Sequence, residues 1–243
     1  SIVGDNDAKA ELQAIFNRRF ETGKFSYLQM DIGQDTRNHV AHISRGFQWS
    51  AMGKIGIPAF IDNFGFVKCQ LDAHWYTPII DERQLVLHLR GHLGYVNAIG
   101  KHAIPFRELY HIGGQASVRG WLFGEIGPQW YHQELVEEGG WQGDTIGSRK
   151  SFFTNIELIF PMKKDMAIKG VVFYDGGCGW DTPDAAIINS AHLRNNSFKY
   201  RHAIGIGLRL LQPQPMRIDW GFKLDREPGE KAGQINFSSY YDF

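Results

Sequence analysis

The sequence predicts an all-β fold, an antiparallel transmembrane β-barrel with long extracellular loops. Three observations carry that prediction: no helix-length apolar run, side chains that alternate with a period of two, and connections that alternate between short and long. No apolar run in the 243 residues approaches the roughly 18 that a membrane helix needs. Aromatic residues make up 14% of the chain and glycine contributes 28 positions, whereas alanine- and leucine-rich helical stretches are scarce, a balance that favours strands and turns. The mean hydropathy of -0.32 does not count against a membrane protein, because a barrel distributes its apolar half in alternation. With 26 basic and 26 acidic residues the formal charge is zero, so neither a nucleic-acid-binding surface nor an acidic solvating tail is expected.

From the amino terminus, residues 1–24 read as a surface loop with a short amphipathic helix. Asp7 is placed to cap it, Leu12, Ile15, Phe16 and Phe20 recur at helical spacing, and Gly23 is placed to stop it. A helix resting on a loop is the simpler reading; direct membrane contact is the other. Ser1 is not preceded by a charged and then apolar leader, so a leader has been removed or the start is internal.

Residues 25–243 carry nine candidate strands: 26–34, 46–55, 66–76, 84–95, 151–160, 167–175, 201–210, 216–225 and 235–243. In the third, Val67, Cys69, Leu71, Ala73 and Trp75 share one face and Lys68, Gln70, Asp72, His74 and Tyr76 the other. In the fourth, Leu85, Leu87, Leu89, Leu93 and Tyr95 oppose Gln84, His88, Arg90 and His92. In the eighth, Met216, Ile218, Trp220, Phe222 and Leu224 oppose Arg217, Asp219, Lys223 and Asp225. A soluble sandwich also alternates. Charges in mid-strand suit a watery lumen instead, and Trp75, Tyr95, Tyr174, Tyr241 and Phe243 fall near strand ends, where an interfacial girdle sits.

The connections add sidedness. Short turns at 77–83, 161–166 and 211–215 alternate with long connections at 96–150, 179–199 and 226–233; the segment 35–45 is long for its side. Cys69 and Cys178 lack metal-ligand spacing and are either a disulfide or two unrelated wall residues. His88 and His92 lie four apart on one face, roughly 13 Å on a strand, too far to share a metal by themselves. No catalytic elbow, phosphate loop or paired-cysteine motif occurs, so no catalytic residue, metal or cofactor is assigned.

Within the longest connection stands Gly113-Gly-Gln-Ala-Ser-Val-Arg-Gly-Trp121. Gly113 and Gly114 permit a tight hairpin, Gly120 a close backbone approach, and Arg119 is a rigid fork suited to carboxylates. Alternation puts Glu157 and Asp175 on the less apolar, inward faces of their strands. Two carboxylates in a wall call for a cation such as Arg119, unless an open lumen solvates them.

Ser117-Val118-Arg119-Gly120-Trp121 resembles the Val-Arg-Gly-aromatic signature of the bacterial surface antigen family, the BamA-type outer-membrane assembly factors. The resemblance continues through Phe173-Tyr-Asp-Gly-Gly-Cys-Gly-Trp-Asp181, Gly205-Ile-Gly-Leu-Arg-Leu210 and Pro215-Met-Arg-Ile-Asp-Trp-Gly-Phe222 to a terminal aromatic, Phe243, and covers about residue 26 to the end. It implies that loop 97–150 folds back into the lumen and that Arg119 bonds Glu157 and Asp175. The last strand resembles the family's closing strand, with Ile235, Phe237, Tyr241 and Phe243 towards lipid and Asn236, Ser238, Tyr240 and Asp242 inward. Relatives often carry a glycine in that strand; here none follows Gly233, which puts a kink at the seam in doubt.

The family barrel has about sixteen strands, so nine imply the carboxy-terminal part of a barrel, with further strands and periplasmic POTRA domains upstream. The resemblance implies a Gram-negative outer-membrane insertase, non-enzymatic, whose first-to-last-strand seam opens and offers strand edges to client proteins. Unfolded outer-membrane clients, accessory assembly lipoproteins and the lipid bilayer are the partners it implies, and nucleic acid is not among them. A two-partner secretion translocator of the same superfamily, or a barrel enzyme or porin, are the alternatives.

Overall fold

The computed structural model describes residues 9–11, 13–17, 26–38, 43–57, 64–80, 84–131, 144–163, 168–186, 188–210, 214–227 and 230–239. Nine long strands form one sheet: β1 Ser26–Asp35, β2 Gly46–Ile57, β3 Phe66–Ile80, β4 Leu85–Ala98, β7 Lys150–Lys163, β8 Ile168–Trp180, β10 Arg201–Leu210, β11 Met216–Lys223 and β12 Gly233–Ser238. Three two-residue strands, β5 Gln129–Trp130, β6 Asp144–Thr145 and β9 Leu193–Arg194, form a second small sheet from the long connections. The large sheet is an antiparallel meander in chain order, so each strand pairs with its predecessor across one connection. Among the described residues β1 and β12 each pair on one side only.

Alternation sorts the residues as a lipid-facing wall requires. Leu71, Trp75, Leu93, Tyr95, Ile204, Ile206, Ile218 and Trp220 are exposed, while His88, His92, Asn155, Glu157, Asp175, Arg209 and Asp219 are buried. This inversion of the usual soluble arrangement has one economical cause: apolar side chains face lipid, and polar side chains face one another inside. Tyr174 is a partial exception, since its hydroxyl hydrogen-bonds His202 Nδ1 on the outer face rather than standing free.

Two prolines correct the strand ends read from the sequence. The turns expected from Thr77 and from Pro161 are strand as far as Ile80 and Lys163. Pro78 and Pro161 have no N–H to give the ladder, and each is tolerated where the register shifts, between Pro78 and Ile80 and between Pro161 and Lys163. The fourth and sixth windows also run further, to Ala98 and Trp180, whereas the last strand starts earlier, at Gly233, and ends at Ser238. Tyr241 and Phe243, with Tyr240 and Asp242, lie outside the described residues. Cys69 and Cys178 are both free thiols, the first exposed and the second buried, which removes the disulfide reading.

The short-turn end is closed by Ile43, Tyr76 and Val86, with Ile159 packed on them. At the other end, residues 9–11 and 13–17 are helical. Ile15 seats in a cluster with Trp130, Ile146 and Ile188, packed against Leu193 of the small sheet. Phe16, expected to share the apolar stripe, is 54% exposed; Asp7, Leu12, Phe20 and Gly23 lie outside the described residues. The helix is therefore tied to the loop sheet by Ile15 and by Glu11, whose carboxylate accepts from Trp130 Nε1 at 3.1 Å, Asn189 N at 3.1 Å and His192 Nδ1 at 2.8 Å.

Burial raises the Glu11 carboxyl, but the bonds from His192, Trp130 and Asn189 outweigh it and hold the group below the usual carboxylate range. A lowered folded value stabilises docking above the unfolded value, and that contribution disappears as pH falls through the folded one. The protection factors of residues 9–17, exchange corrected for its intrinsic pH dependence, should fall between pH 7 and pH 3, and Glu11→Gln should remove most of that fall; protection that stays constant over the range would refute the tie. On the wall, Ile206→Arg should weaken folding into lipid vesicles by about 2–4 kcal/mol, the cost of a mid-depth cation on the lipid face. Unchanged folding in a denaturant titration would mean that this face does not meet lipid.

Candidate functional site

The polar inner wall is organised around the tip of the connection between β4 and β7. Backbone shape comes first. Gly113, Gly114 and Gly120 adopt φ of 119°, 84° and 86°, a region that side chains disfavour. A Cβ on Gly113 would sit 2.1 Å from the Leu122 carbonyl oxygen, so glycine is demanded by space as well. Ser117 then staples the turn, its Oγ accepting from Gly113 N at 2.8 Å and donating to Gly113 O at 3.1 Å, while Gly114 N donates to Trp121 O at 2.9 Å.

The stapled tip is held by the wall through three successive carbonyls. Gln115 O accepts from Arg217 of β11 at 2.7 Å, Ala116 O from Arg90 of β4 at 2.9 Å, and Ser117 O from Asn155 of β7 at 2.7 Å. In a flat sheet β4 and β11 would stand roughly 19 Å apart, four strand spacings. Their arginines converge on neighbouring carbonyls, so the polar face is concave and wraps the loop. At Gly120 the loop touches the wall backbone to backbone: a Cβ on Gly221 of β11 would meet Gly120 N at 2.6 Å. Val118 and Trp121 are fully buried, Val118 in a cluster with Ile112, Ile126, Phe153 and Ala203. Trp121 meets two cations, with Arg201 and Lys223 each 4.2 Å from its ring centre.

Arg119 occupies the centre. Its Nε and Nη2 donate to the two carboxylate oxygens of Asp175 at 2.6 and 2.7 Å, its own N–H donates to Asp175 Oδ2 at 3.0 Å, and Nη1 donates to Glu157 Oε1 at 2.5 Å. The guanidinium also stacks 3.6 Å from the Phe173 ring centre. Asp175 is completely buried and Arg119 is 3% exposed, so this is a bidentate pair in a dry setting, where Lys could not reproduce the fork.

The cluster extends further than alternation and the resemblance imply. Glu157 is shared with Arg209 Nη2 at 3.3 Å and His88 Nδ1 at 2.9 Å, and His88 continues to His74 at 3.2 Å. Asp219 accepts from Arg209 Nη1 at 2.6 Å and lies 3.7 Å from Arg119 Nη1, with Arg217 Nε 3.6 Å away. Three arginines thus face three carboxylates, and burial of so much charge is tolerated because it is neutral and heavily hydrogen-bonded. Alternation had already put His88, Arg217 and Asp219 inward; what period two lacks is curvature, which brings β4 and β11 to the same loop.

Further out, Glu108 accepts from Lys54 at 2.5 Å and Lys68 at 3.3 Å, and Glu125 accepts from Lys223 at 2.5 Å, so the loop is tied at both flanks. Of the expected closing-strand residues, Ile235 and Phe237 are exposed on the outer face and Asn236 is buried. No cluster of metal-binding side chains occurs among the described residues.

Comparisons with known proteins agree in direction. The Omp85 superfamily domain matches residues 5–243. A curated outer membrane protein assembly factor BamA from Nitratidesulfovibrio vulgaris is 30% identical over 156 residues, 63% of this chain and 18% of that protein. BamA from Neisseria meningitidis serogroup B is 24% identical over 216 residues, 80% of this chain and 26% of that protein. A crystal structure of BamA from Haemophilus ducreyi lacking POTRA domains 1–3 superposes with a TM-score of 0.70 at 22% identity, covering 93% of this chain and 46% of that one. The chain thus spans about a fifth to a quarter of the curated relatives' length and about half of the solved chain.

Removing Arg119 strands two buried carboxylates. Arg119→Ala should lower stability by about 3–5 kcal/mol, the usual result of breaking a buried pair from one side. It should also expose residues 113–121 to amide exchange. Gly221→Ala should release the same segment through backbone collision while leaving every charge in place. If both variants keep wild-type protection across 113–121, the loop is held by something else.

Proposed function

The chain belongs to the Omp85 superfamily, and from that premise we propose that it forms the carboxy-terminal part of a BamA-like outer-membrane assembly factor, one that inserts other β-barrel proteins through its strand edges. The observation that carries the choice is the position of the Arg119 loop, which sits against the inner wall through carbonyl, carboxylate and backbone contacts from β4, β7, β8 and β11. A polypeptide passing along the lumen would have to displace that whole set. Chemistry at the strand edges needs no such displacement.

The β12 edge suits that role physically. It is ladder-bonded to β11 over six pairs, from Arg217–Ser238 to Phe222–Gly233, and its other edge has no partner among the described residues. Backbone groups left open in hydrocarbon cost several kcal/mol each, so such an edge gains strongly from another strand. In the closed resting barrel that strand belongs to the protein's own first strand, with strands beyond these nine completing the ring. During assembly a client strand takes its place by β-augmentation, with no nucleotide or cofactor. Arg119, Glu157 and Asp175 act in positioning: they hold the loop and so fix the curvature of β7, β8 and β11, on which the β12 edge is presented. Unfolded outer-membrane proteins are the clients, and accessory lipoproteins are partners of the assembled machine.

Photo-crosslinkers answer this directly. Placed at Ile235 or Phe237 on the outer face of β12 in the bilayer-embedded protein, they should capture a stalled outer-membrane client, whereas crosslinkers at Gln70 or Arg90 on the inner wall should not. Capture at the inner-wall positions alone would indicate passage through the lumen and favour a secretion translocator.

A further inference from the structure

The outer face of β1 to β4 carries a groove of about 670 Å³ that the insertion chemistry does not use. Its floor is made of small side chains. Gly53 of β2 pairs directly with Cys69 of β3, and a Cβ built on Gly53 meets nothing within 4 Å. Its sides are large and apolar: Met30 and Ile32 on β1, Leu71 on β3 and Leu93 on β4, all 42% or more exposed. These residues share the outward face with the apolar half of the wall, so the hollow opens to lipid rather than to the lumen.

One end of the groove is different. The cross-strand row Met30, Gly53, Cys69, Tyr95, Lys150 and Trp180 runs from within β1 to the loop-side ends of β7 and β8. Lys150 and Trp180 line the groove there together with Tyr95, the set of a cation and amphipathic rings found at a membrane–water boundary. Arg149 and Lys150 share a single carboxylate, Asp181, with Lys150 Nζ 2.9 Å from Asp181 Oδ2, so this rim keeps one excess positive charge. The ammonium has three N–H groups, and Lys150 is 39% exposed, which leaves donors for a further acceptor. A second cavity shares Arg149 and Asp181 with this rim and is lined also by Lys101 and His102.

We propose that the groove docks a phosphorylated lipid of the surrounding bilayer, its acyl chain in the hollow over Gly53 and Cys69 and its phosphate at Lys150. The charge complementarity at one end and the apolar hollow leading from it have the polarity of a single lipid molecule. An uncharged or zwitterionic lipid would leave the rim cation unmatched. The proposal rests on the reading of the chain as a bilayer-spanning wall, and it assigns a lipid preference that insertion of clients does not require.

The full-length protein, inserted in nanodiscs of phosphatidylcholine containing a minor fraction of phosphatidic acid, gives the test. Native mass spectrometry should find phosphatidic acid retained over phosphatidylcholine by about tenfold, as one charge-assisted hydrogen bond supplies. Gly53→Leu, whose Cβ meets nothing within 4 Å and whose side chain occupies the hollow, should lose retention of both lipids; Lys150→Gln should keep retention and lose the preference. Alkylation of Cys69 by a membrane-soluble maleimide should slow when phosphatidic acid is present, in the wild-type protein and not in Lys150→Gln. Equal retention of the two lipids by the wild type, or a preference surviving both substitutions, would overturn the proposal while leaving the bilayer reading intact. Failure of the wild type to insert into the nanodisc would overturn both.

Discussion

Burying Asp175 with no exposure at all is affordable only because Arg119 meets it with three donors, two from the side chain and one from its own backbone. That one fork constrains most of what surrounds it. It needs the loop to enter the concave face at a fixed height and angle, which the positive-φ glycines and the Ser117 staple provide. It needs β7 and β8 in a register that sets Glu157 and Asp175 near one another, two rungs apart in the ladder, Asn155 opposite Asp175 and Glu157 opposite Phe173. It also needs the lumen charge to balance, which Arg209, Arg217 and Asp219 accomplish.

A network of this kind does not have to add net stability. Buried pairs often break even against apolar substitutes, and their value lies in permitting only one arrangement. Here an apolar plug would slide along an apolar wall, whereas carbonyls 115, 116 and 117 each find a donor on a different strand. The loop and the strands therefore set each other's positions, and the β12 edge inherits its geometry from β11, the strand that Gly120 touches at Gly221.

The strands were legible because lipid on one side and polar side chains on the other enforce period two along their whole length. The windows around Val67, Leu85 and Met216 put outward Leu71, Trp75, Leu93, Ile218 and Trp220, which are exposed in the structure, and Val67, Leu85, Leu87, Leu89 and Met216, which are partly so, whereas Gln84, read as inward, precedes the strand and is exposed. Strand ends were less legible at Pro78 and Pro161, where the missing N–H reads as a stop but a register shift absorbs it. The lumen cluster was legible only in part. Inward carboxylates at Glu157 and Asp175 follow from alternation, and their pairing with Arg119 came from the resemblance. The reach of Arg90 and Arg217 to adjacent carbonyls depends on sheet curvature, which no local pattern encodes. Glu11 binding Trp130, Asn189 and His192 is likewise invisible in sequence, since it joins segments more than a hundred residues apart.

The central claim is that Arg119 and Asp175 act as one coupled unit that fixes the loop to the wall, and a double-mutant cycle measures that coupling. Stability in lipid vesicles would be compared for wild type, Arg119→Ala, Asp175→Ala and the double variant. The expected result is a favourable coupling near the upper end of the usual 0.5–3 kcal/mol range, about 2–3 kcal/mol, with the double variant far less damaged than the sum of the singles. Additivity within about 0.5 kcal/mol would contradict the account, because two residues that do not feel each other cannot be what holds the loop in place.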